Sequence, residues 1–494
     1  VFNKLLIANR GEIACRIIRT AKRLGIQTVA VYSDVDANAL HVSLADEAFN
    51  IGSAKPQQSY LNISILIDVA VRSGAEAVHP GYGFLSENAE FCRACEEKKI
   101  VFIGPPAAAI EAMGLKARAK DIMQQAGVPL APGYQGEDQT NAGLLQQAER
   151  IGFPLLIKAS AGGGGKGMRQ VSKANEFASA LTAARREAQQ SFGNDQVILE
   201  KYLVNARHVE VQIFCDRHGN GVYLGDRDCS MQRRHQKILE EAPAPGLSAS
   251  LRKSMGEAAV RAAMAINYRG AGTVEFLLAD EQSFYFMEMN TRLQVEHPVT
   301  EFVTGQDLVE WQLQVAAGQV LPLTQQQVKQ QGHAIEARIY AEDCEQGFIP
   351  SSGTINYLRW PTLHRDIRVD TGVREGDEIS SHYDPMIAKL IVWGEDRDQA
   401  LRRMGTALAD CRVGGLQTNL TFLSQLQASA AFRSAQFHTA FVDQQIDTLQ
   451  SPKTAKFALL ALAALAFWLR AKTEQQKADN KSPWYIVDAW RMNL

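Results

Sequence analysis

The sequence predicts a multidomain protein of mixed α/β and α+β class, and three observations carry that prediction. The chain has 494 residues, too many for one hydrophobic core and enough for three or more domains. Its first hundred residues alternate short apolar runs with runs of helical period, the pattern of a parallel sheet with crossover helices. From about residue 209 onward, strands pair around polar turns instead, the pattern of antiparallel sheet.

Taken in order, Lys4–Ala8 reads as a buried strand, Asn9-Arg-Gly11 as a turn, and Ile13, Ile17, Ala21 and Leu24 as one face of a helix. Thr28–Tyr32, Ala77–His79 and Ile100–Ile103 are further strands, giving a parallel α/β domain over 1–115. Gly81-Tyr-Gly83 follows a strand, where open α/β sheets place ligands, although loops favour glycine anyway. A composition shift around Pro129–Gly133 opens a second domain, 116–330, with a lid over about 131–204. A third, β-rich domain with glycine turns spans 331–447 and ends in helices from about 397. Residues 448–494 read as a linker, a helix over 454–470 and the start of a further domain.

Inside the lid, the strand Pro154–Ser160 runs into Gly162-Gly163-Gly164-Gly165-Lys166-Gly167. The run satisfies G-x-G-x-x-G literally, but Met168–Val171 reads as a strand where a dinucleotide motif needs a helix. Nor is it a phosphate-binding Walker loop, since Lys166 precedes Gly rather than Ser or Thr. Strand–glycine–strand suits a mobile flap whose N–H groups close over phosphates. A plain surface hairpin is the competing reading. Beyond it, Val209–Phe214 and Gly221–Gly225 form a hairpin, and Ser250–Ile266 a long helix.

Composition excludes several classes. Net charge is −2 with no basic run, so nucleic acid is not an expected partner. Seven scattered cysteines form no disulfide framework and point to a reducing compartment, the cytoplasm or, in a eukaryote, the mitochondrial matrix. The longest apolar run, Phe457–Leu469, is shorter than the roughly 20 residues of a membrane span. The chain begins with Val1, which leaves room for a removed presequence.

The densest chemistry lies in Glu288-Met-Asn290-Thr-Arg292-Leu-Gln294-Val295-Glu296-His297. Alternate residues of a strand share a face, which predicts that Glu288, Asn290 and Arg292 project together. The polar turn Asp280–Ser283 would fold the strand bearing Glu275 beside them. Oxygen ligands of this kind suit Mg²⁺, with Mn²⁺ an alternative. An arginine and a further carboxylate just beyond could hold and deprotonate a second substrate. A solvated polar hairpin is the bland alternative for this segment alone.

Lys116, Lys158-Ala-Ser, the glycine flap, Glu200-Lys-Tyr-Leu203, Glu275 and Glu288-x-Asn290 together resemble an ATP-grasp fold. Four further runs, Asn9–Ala14, His79–Asn88, Arg227–Lys237 and Arg292–His297, narrow the resemblance to the biotin carboxylase component of biotin-dependent carboxylases, over residues 2 to about 445. The resemblance implies that Lys116 and Lys158 contact ATP phosphates with Gly163, Gly164, Gly165 and Lys166 above them. Glu200 and Leu203 would receive adenine, and His208, Gln232 and His235 would lie near the nucleotide ribose. Glu275, Glu288 and Asn290 would hold Mg²⁺. Lys237, Arg292, Gln294 and Val295 would cradle bicarbonate, Glu296 would remove its proton, and Arg338 would face the biotin ureido oxygen.

No Met-Lys pair, the family's site of biotin attachment, occurs in the sequence. The resemblance therefore implies biotin delivered by a carrier domain outside this chain, a carboxyltransferase β subunit as partner, and a homo-oligomer as a further option. The tail, with Trp490-Arg-Met-Asn493, is similar to the α subunits of 3-methylcrotonyl-CoA and geranyl-CoA carboxylases. Propionyl- or acetyl-CoA carboxylase α subunits remain alternatives, as does an ATP-grasp ligase of the carbamoyl-phosphate type. The last would not need Arg338 together with the run from Arg292 to His297.

Overall fold

The computed structural model describes residues 2–160, 168–280, 282–449 and 456–477. Two compact units divide the chain, Val1–Ile446 and Asp447–Leu494.

The first unit opens with a parallel sheet of β1 (Lys4–Ile7), β2 (Gln27–Tyr32), β3 (Glu47–Asn50), β4 (Ala77–His79) and β5 (Val101–Phe102), in the order β3-β2-β1-β4-β5. Leu5, Leu6 and Ile7 are all fully buried, as a strand covered on both faces requires. Crossover helices Ile63–Ser73 and Ala89–Glu97 start at Asn62 and Asn88, whose side chains accept from the amides of Ile65 and Phe91. Strand order reverses between β1 and β4. There the Asn9 amide donates to the carbonyls of Pro80 and Tyr82, joining the Asn9–Gly11 turn to the Gly81–Gly83 loop.

Next comes a four-stranded antiparallel sheet of β6 (Gly133–Tyr134), β7 (Leu155–Ala159), β8 (Arg169–Val171) and β9 (Val197–Lys201), ordered β6-β9-β7-β8. It has its own core, in which Leu155, Ile157 and Leu199 pack against Leu144, Phe177 and Leu181 of two covering helices. The expected flap at 162–167 lies outside the described residues.

The largest sheet is antiparallel and eight-stranded: β10 (Arg207–Cys215), β11 (Gly221–Arg233), β12 (Gln236–Ala242), β13 (Gly270–Leu278), β14 (Phe284–Asn290), β15 (His333–Tyr340), β16 (Ile367–Thr371) and β17 (Met386–Gly394). Its order is β14-β13-β10-β11-β12-β15-β17-β16. The helix Ala249–Met264, capped by Ser248, covers β10 and β11 with Met255, Ala258, Ala259 and Ala262.

Two details differ from the sequence expectation. β11 runs on to Arg233 rather than stopping near Gly225, because both its edges are hydrogen-bonded, to β10 and to β12. The strand alternation expected to continue past Glu288 stops at Asn290: residues 291–296 are a loop, and Pro298 stands in the first turn of the helix His297–Thr304. Arg292 is therefore positioned by a loop rather than by the pleat.

In the second unit the helix spans Lys456–Lys477, longer than the 454–470 expected. Leu460, Leu462, Phe467 and Trp468 are exposed on it. Among the described residues, no helix is long and apolar enough to cross a membrane.

Candidate active site

Strand register builds the site. Glu210 on β10 lies opposite Arg227 on β11 and opposite Glu275 on β13, and Glu275 lies opposite Glu288 on β14. Arg227, Glu210, Glu275 and Glu288 thus form one row across four strands. Like charges directly opposite repel, so the acidic pair Glu210–Glu275 needs cations. Lys237 Nζ supplies one, 2.7 Å from Glu210 and 3.0 Å from Glu275. Arg227 supplies another: its Nε donates to Glu210 at 2.5 Å, and its Nη atoms donate to Gln212, Thr300 and Thr273.

Past the end of β14, the loop brings the remaining predicted residues to this row. Lys237 Nζ is also 2.5 Å from Glu296, and Arg338 Nη2 donates to the other oxygen of Glu296 at 2.8 Å. Gln294 Nε2 donates to Glu275 at 2.9 Å, and its Oε1 accepts from Arg292 at 3.0 Å. Arg292 also donates to Asn290 at 3.1 Å and to Glu87 at 2.9 Å. The Val295 carbonyl accepts from the buried Lys389 Nζ at 2.8 Å, which fixes the loop from behind.

Charge states follow from these contacts. Burial pushes the Glu296 carboxyl up, but Lys237, Arg338 and Arg227 overcome it and hold it well below the usual carboxylate range. Glu275 behaves likewise: burial raises it, and Lys237 and His208 bring it far down. Burial opposes charge on Lys237, yet Cys229, Glu210, Glu275 and Glu296 raise it well above an ordinary lysine. The site therefore presents an ionised Glu296 held between two permanent cations.

Glu275, Glu288 and Asn290 offer two carboxylates and a carboxamide on paired strands. Such hard oxygen donors fit Mg²⁺ or Mn²⁺. His208 Nε2 lies 3.0 Å from Glu275, so this histidine bears on the candidate metal ligands. Glu210, Cys229 and Glu296 also cluster, but the Lys237 ammonium already reaches both carboxylates.

Among the residues expected to meet a nucleotide, Glu200 of β9 pairs with Lys158 of β7, and it also pairs with Lys120. Leu203 follows β9 and is half-buried. Gln232 lies opposite Lys237 near the tip of the β11–β12 hairpin, and exposed His235 occupies its turn at φ 68°. Lys116 starts the helix Lys116–Gln125. Its side chain, like Gly163, Gly164, Gly165 and Lys166, lies outside what is described.

Four participants escaped the sequence reading: Glu210, Arg227 as its partner, Glu87 and Lys120. Glu210 carries a local signal, a lone acid among apolar residues in Val209-Glu-Val-Gln-Ile. Glu87 lies in the run His79–Asn88, but neither it nor Lys120 carries a local signal of its partner, because those partners are distant in sequence.

The chain is similar to known proteins along nearly its whole length. Residues 1–110 match the family model described as "Biotin carboxylase, N-terminal domain", and residues 336–444 match "Biotin carboxylase C-terminal domain". Residues 116–324 match "Carbamoyl-phosphate synthase L chain, ATP binding domain". Methylcrotonoyl-CoA carboxylase subunit alpha of Dictyostelium discoideum is 55% identical over 492 residues, covering 99% of this chain and 70% of the relative. A Nostoc biotin carboxylase is 52% identical over 444 residues, covering 90% of this chain and 99% of the relative. Among solved structures, the biotin carboxylase domain dimer of Hydrogenobacter thermophilus 2-oxoglutarate carboxylase, with MgADP, ADP and bicarbonate, superposes with TM-score 0.87 at 46% identity, covering 92% of this chain and 99% of that one. The chain belongs to the biotin carboxylase family, and methylcrotonoyl-CoA carboxylase α subunits are among its most similar relatives.

Proposed function

We propose that the row Glu210–Glu275–Glu288 and the loop 290–296 form one active centre for the family's reaction. That reaction is the ATP- and Mg²⁺-dependent carboxylation of biotin by bicarbonate, the first half-reaction of an acyl-CoA carboxylase. The observation that supports this placement best is Glu296, fully buried and ionised, contacting Lys237 and Arg338 at once.

Bicarbonate is a poor electrophile, so it must first be activated. Arg292 and Lys237 hold the anion, with Gln294 and Val295 lining its place. Glu296 accepts the bicarbonate proton as the anion's oxygen bonds to the ATP γ-phosphorus and the bond to ADP breaks. Carboxyphosphate results and separates into CO₂ and phosphate. Phosphate then takes the proton from biotin N1, which attacks CO₂, while Arg338 stabilises the negative ureido oxygen. Bound Mg²⁺ would neutralise charge on the transferring phosphoryl group. Glu275, Glu288 and Asn290 would hold it. Lys116, Lys158 and Lys166 would contact phosphates beneath the glycine flap, Glu200 and Leu203 the adenine, and His208, Gln232 and His235 the ribose side.

We propose residues 1–115, 116–330 and 331–447 as the three domains, with 131–204 as the lid and 448–494 as a linker and subunit-contact segment. A biotinyl carrier domain, a carboxyltransferase β subunit and a second copy of the chain are the proposed partners. Cytoplasm or mitochondrial matrix is the proposed compartment.

Free biotin is expected to stimulate bicarbonate-dependent ATP cleavage by the full chain. An absence of stimulation would instead favour an amine ligase at the same nucleotide site. Arg292→Ala is expected to raise the bicarbonate KM roughly 10- to 100-fold, the worth of a charge-assisted contact, with ATP affinity retained. Lost ATP binding in a folded variant would move Arg292 to another subsite. Glu288→Ala is expected to raise the Mg²⁺ needed for half-maximal ATP cleavage by roughly 10- to 100-fold. An unchanged Mg²⁺ titration would remove Glu288 from the metal site.

A further inference from the structure

Behind Arg338 lies a second acidic pair. Glu240 on β12 sits directly opposite Glu336 on β15, and both are 0% exposed. Opposed residues of an antiparallel pair have Cβ atoms about 5 Å apart, and like charges there are destabilising. Glu240 gives one oxygen to Arg338 Nε at 2.5 Å. Its other oxygen, and both oxygens of Glu336, are buried with no hydrogen-bond partner. An ionised carboxylate without donors is the costliest state a buried side chain can adopt.

The neighbouring cations, each committed to other partners, relieve it only in part. Arg338 shares β15 with Glu336, but its guanidinium already contacts Glu240 and Glu296. On β12, Lys237 is committed to Glu210, Glu275 and Glu296. Lys389 on β17 faces Val295, Glu12 and Asp370. The other facing groups are Cys229 on β11, Tyr82, hydrogen-bonded to Glu12, and Glu296 itself, none of which adds positive charge. Burial raises the Glu336 carboxyl well above its usual range; Lys389 and Arg338 pull it part of the way back, and Glu240 and Glu296 add to the rise. Burial also raises Glu240, to about 7, with Arg338 pulling it back down.

We propose that Glu336 is a neutral carboxylic acid facing an ionised Glu240, and that Glu240 is the positioning residue that keeps Arg338 aimed at biotin. This rests on the roles given above to Glu296 and Arg338. When Glu296 accepts the bicarbonate proton, Arg338 loses one carboxylate partner. Glu240 then remains as its carboxylate anchor. A neutral Glu336 keeps a second negative charge away from the developing ureido oxyanion.

The test uses the full chain with free biotin. Infrared difference spectra of glutamate-labelled wild type and Glu336→Gln at pH 8 are expected to show a neutral carboxylic acid stretch that the variant lacks. Glu336→Gln, a neutral isostere, is expected to keep its kcat and pH profile. Glu240→Gln is expected to lower biotin carboxylation roughly 100-fold, the cost of a misplaced catalytic group, while ATP KM and biotin-independent ATP cleavage persist. Should that variant not fold, Glu240→Asp, which withdraws the oxygen by one methylene, is expected to show the same split. Absence of the acid stretch, or an equal loss in Glu336→Gln, would overturn the proposal. So would equal loss of both activities in the Glu240 variant. If instead Glu296 is not the base, the acid stretch of Glu336 survives, so the two readings fail separately.

Discussion

Replacing Glu296 by Gln is expected to lower bicarbonate-dependent ATP cleavage and biotin carboxylation together, by roughly 10²- to 10⁴-fold, the range for loss of a general base. Nucleotide binding should persist. Glutamine keeps the size and hydrogen-bonding capacity of the side chain, so packing is preserved. Lys237 retains Glu210 and Glu275, and Arg338 retains Glu240, so neither cation is left buried alone. What disappears is the proton acceptor. Because Lys237, Arg338 and Arg227 overcome the effect of burial, Glu296 stays ionised below the usual carboxylate range. Stabilisation of a depressed carboxylate is present above its unfolded pKa and is lost only as pH falls through the folded one. The wild-type rate should therefore not decline through this group between pH 8 and 6. Single-turnover ATP cleavage against pH measures both points. Unchanged turnover in Glu296→Gln would return the proton acceptor to another residue.

Arg227→Met is expected to destabilise the fold by about 3–5 kcal/mol, the usual cost of breaking a buried ion pair from one side. Arg227 is fully buried, and so is its partner Glu210. Removing the guanidinium leaves Glu210 with Lys237, and with His208 at 3.8 Å, and strips donors from Gln212, Thr273 and Thr300. The double variant Arg227→Met, Glu210→Gln should recover part of the loss, because the uncompensated charge goes with the acid. Urea unfolding of both variants decides the matter. A single-variant loss under about 1 kcal/mol, the worth of an exposed pair, would mean the network relaxes around the gap.

Both expectations depend on residues that the sequence reveals unequally. Glu275, Glu288 and Asn290 were legible because a four-residue polar turn, Asp280–Ser283, forces their strands together at short range. The turn at Asn9 and the loop Gly81–Gly83 were legible for a similar reason, each following a short apolar strand. Glu210 was harder: β10 and β13 pair across the whole helix Ala249–Met264, and local periodicity does not encode that register. Arg292 meets Asn290 and Gln294, as its place in the sequence suggested, but by a different route. Pleat alternation would have aimed it by strand geometry, whereas a loop anchored through Glu87 does so.

The sequence by itself determined the kinds of group available and the local period that presents them: strands, turns, a glycine run, and oxygen and guanidinium side chains in family order. Tertiary structure alone decided which acids share a row, where β14 stops, and which carboxyls lie beyond the reach of water. Residue type and short-range spacing are properties of the chain, but opposition across strands and desolvation arise only when distant segments pack. Those two effects separate an ionised Glu296 from a raised Glu336, although both are glutamates with no exposed surface.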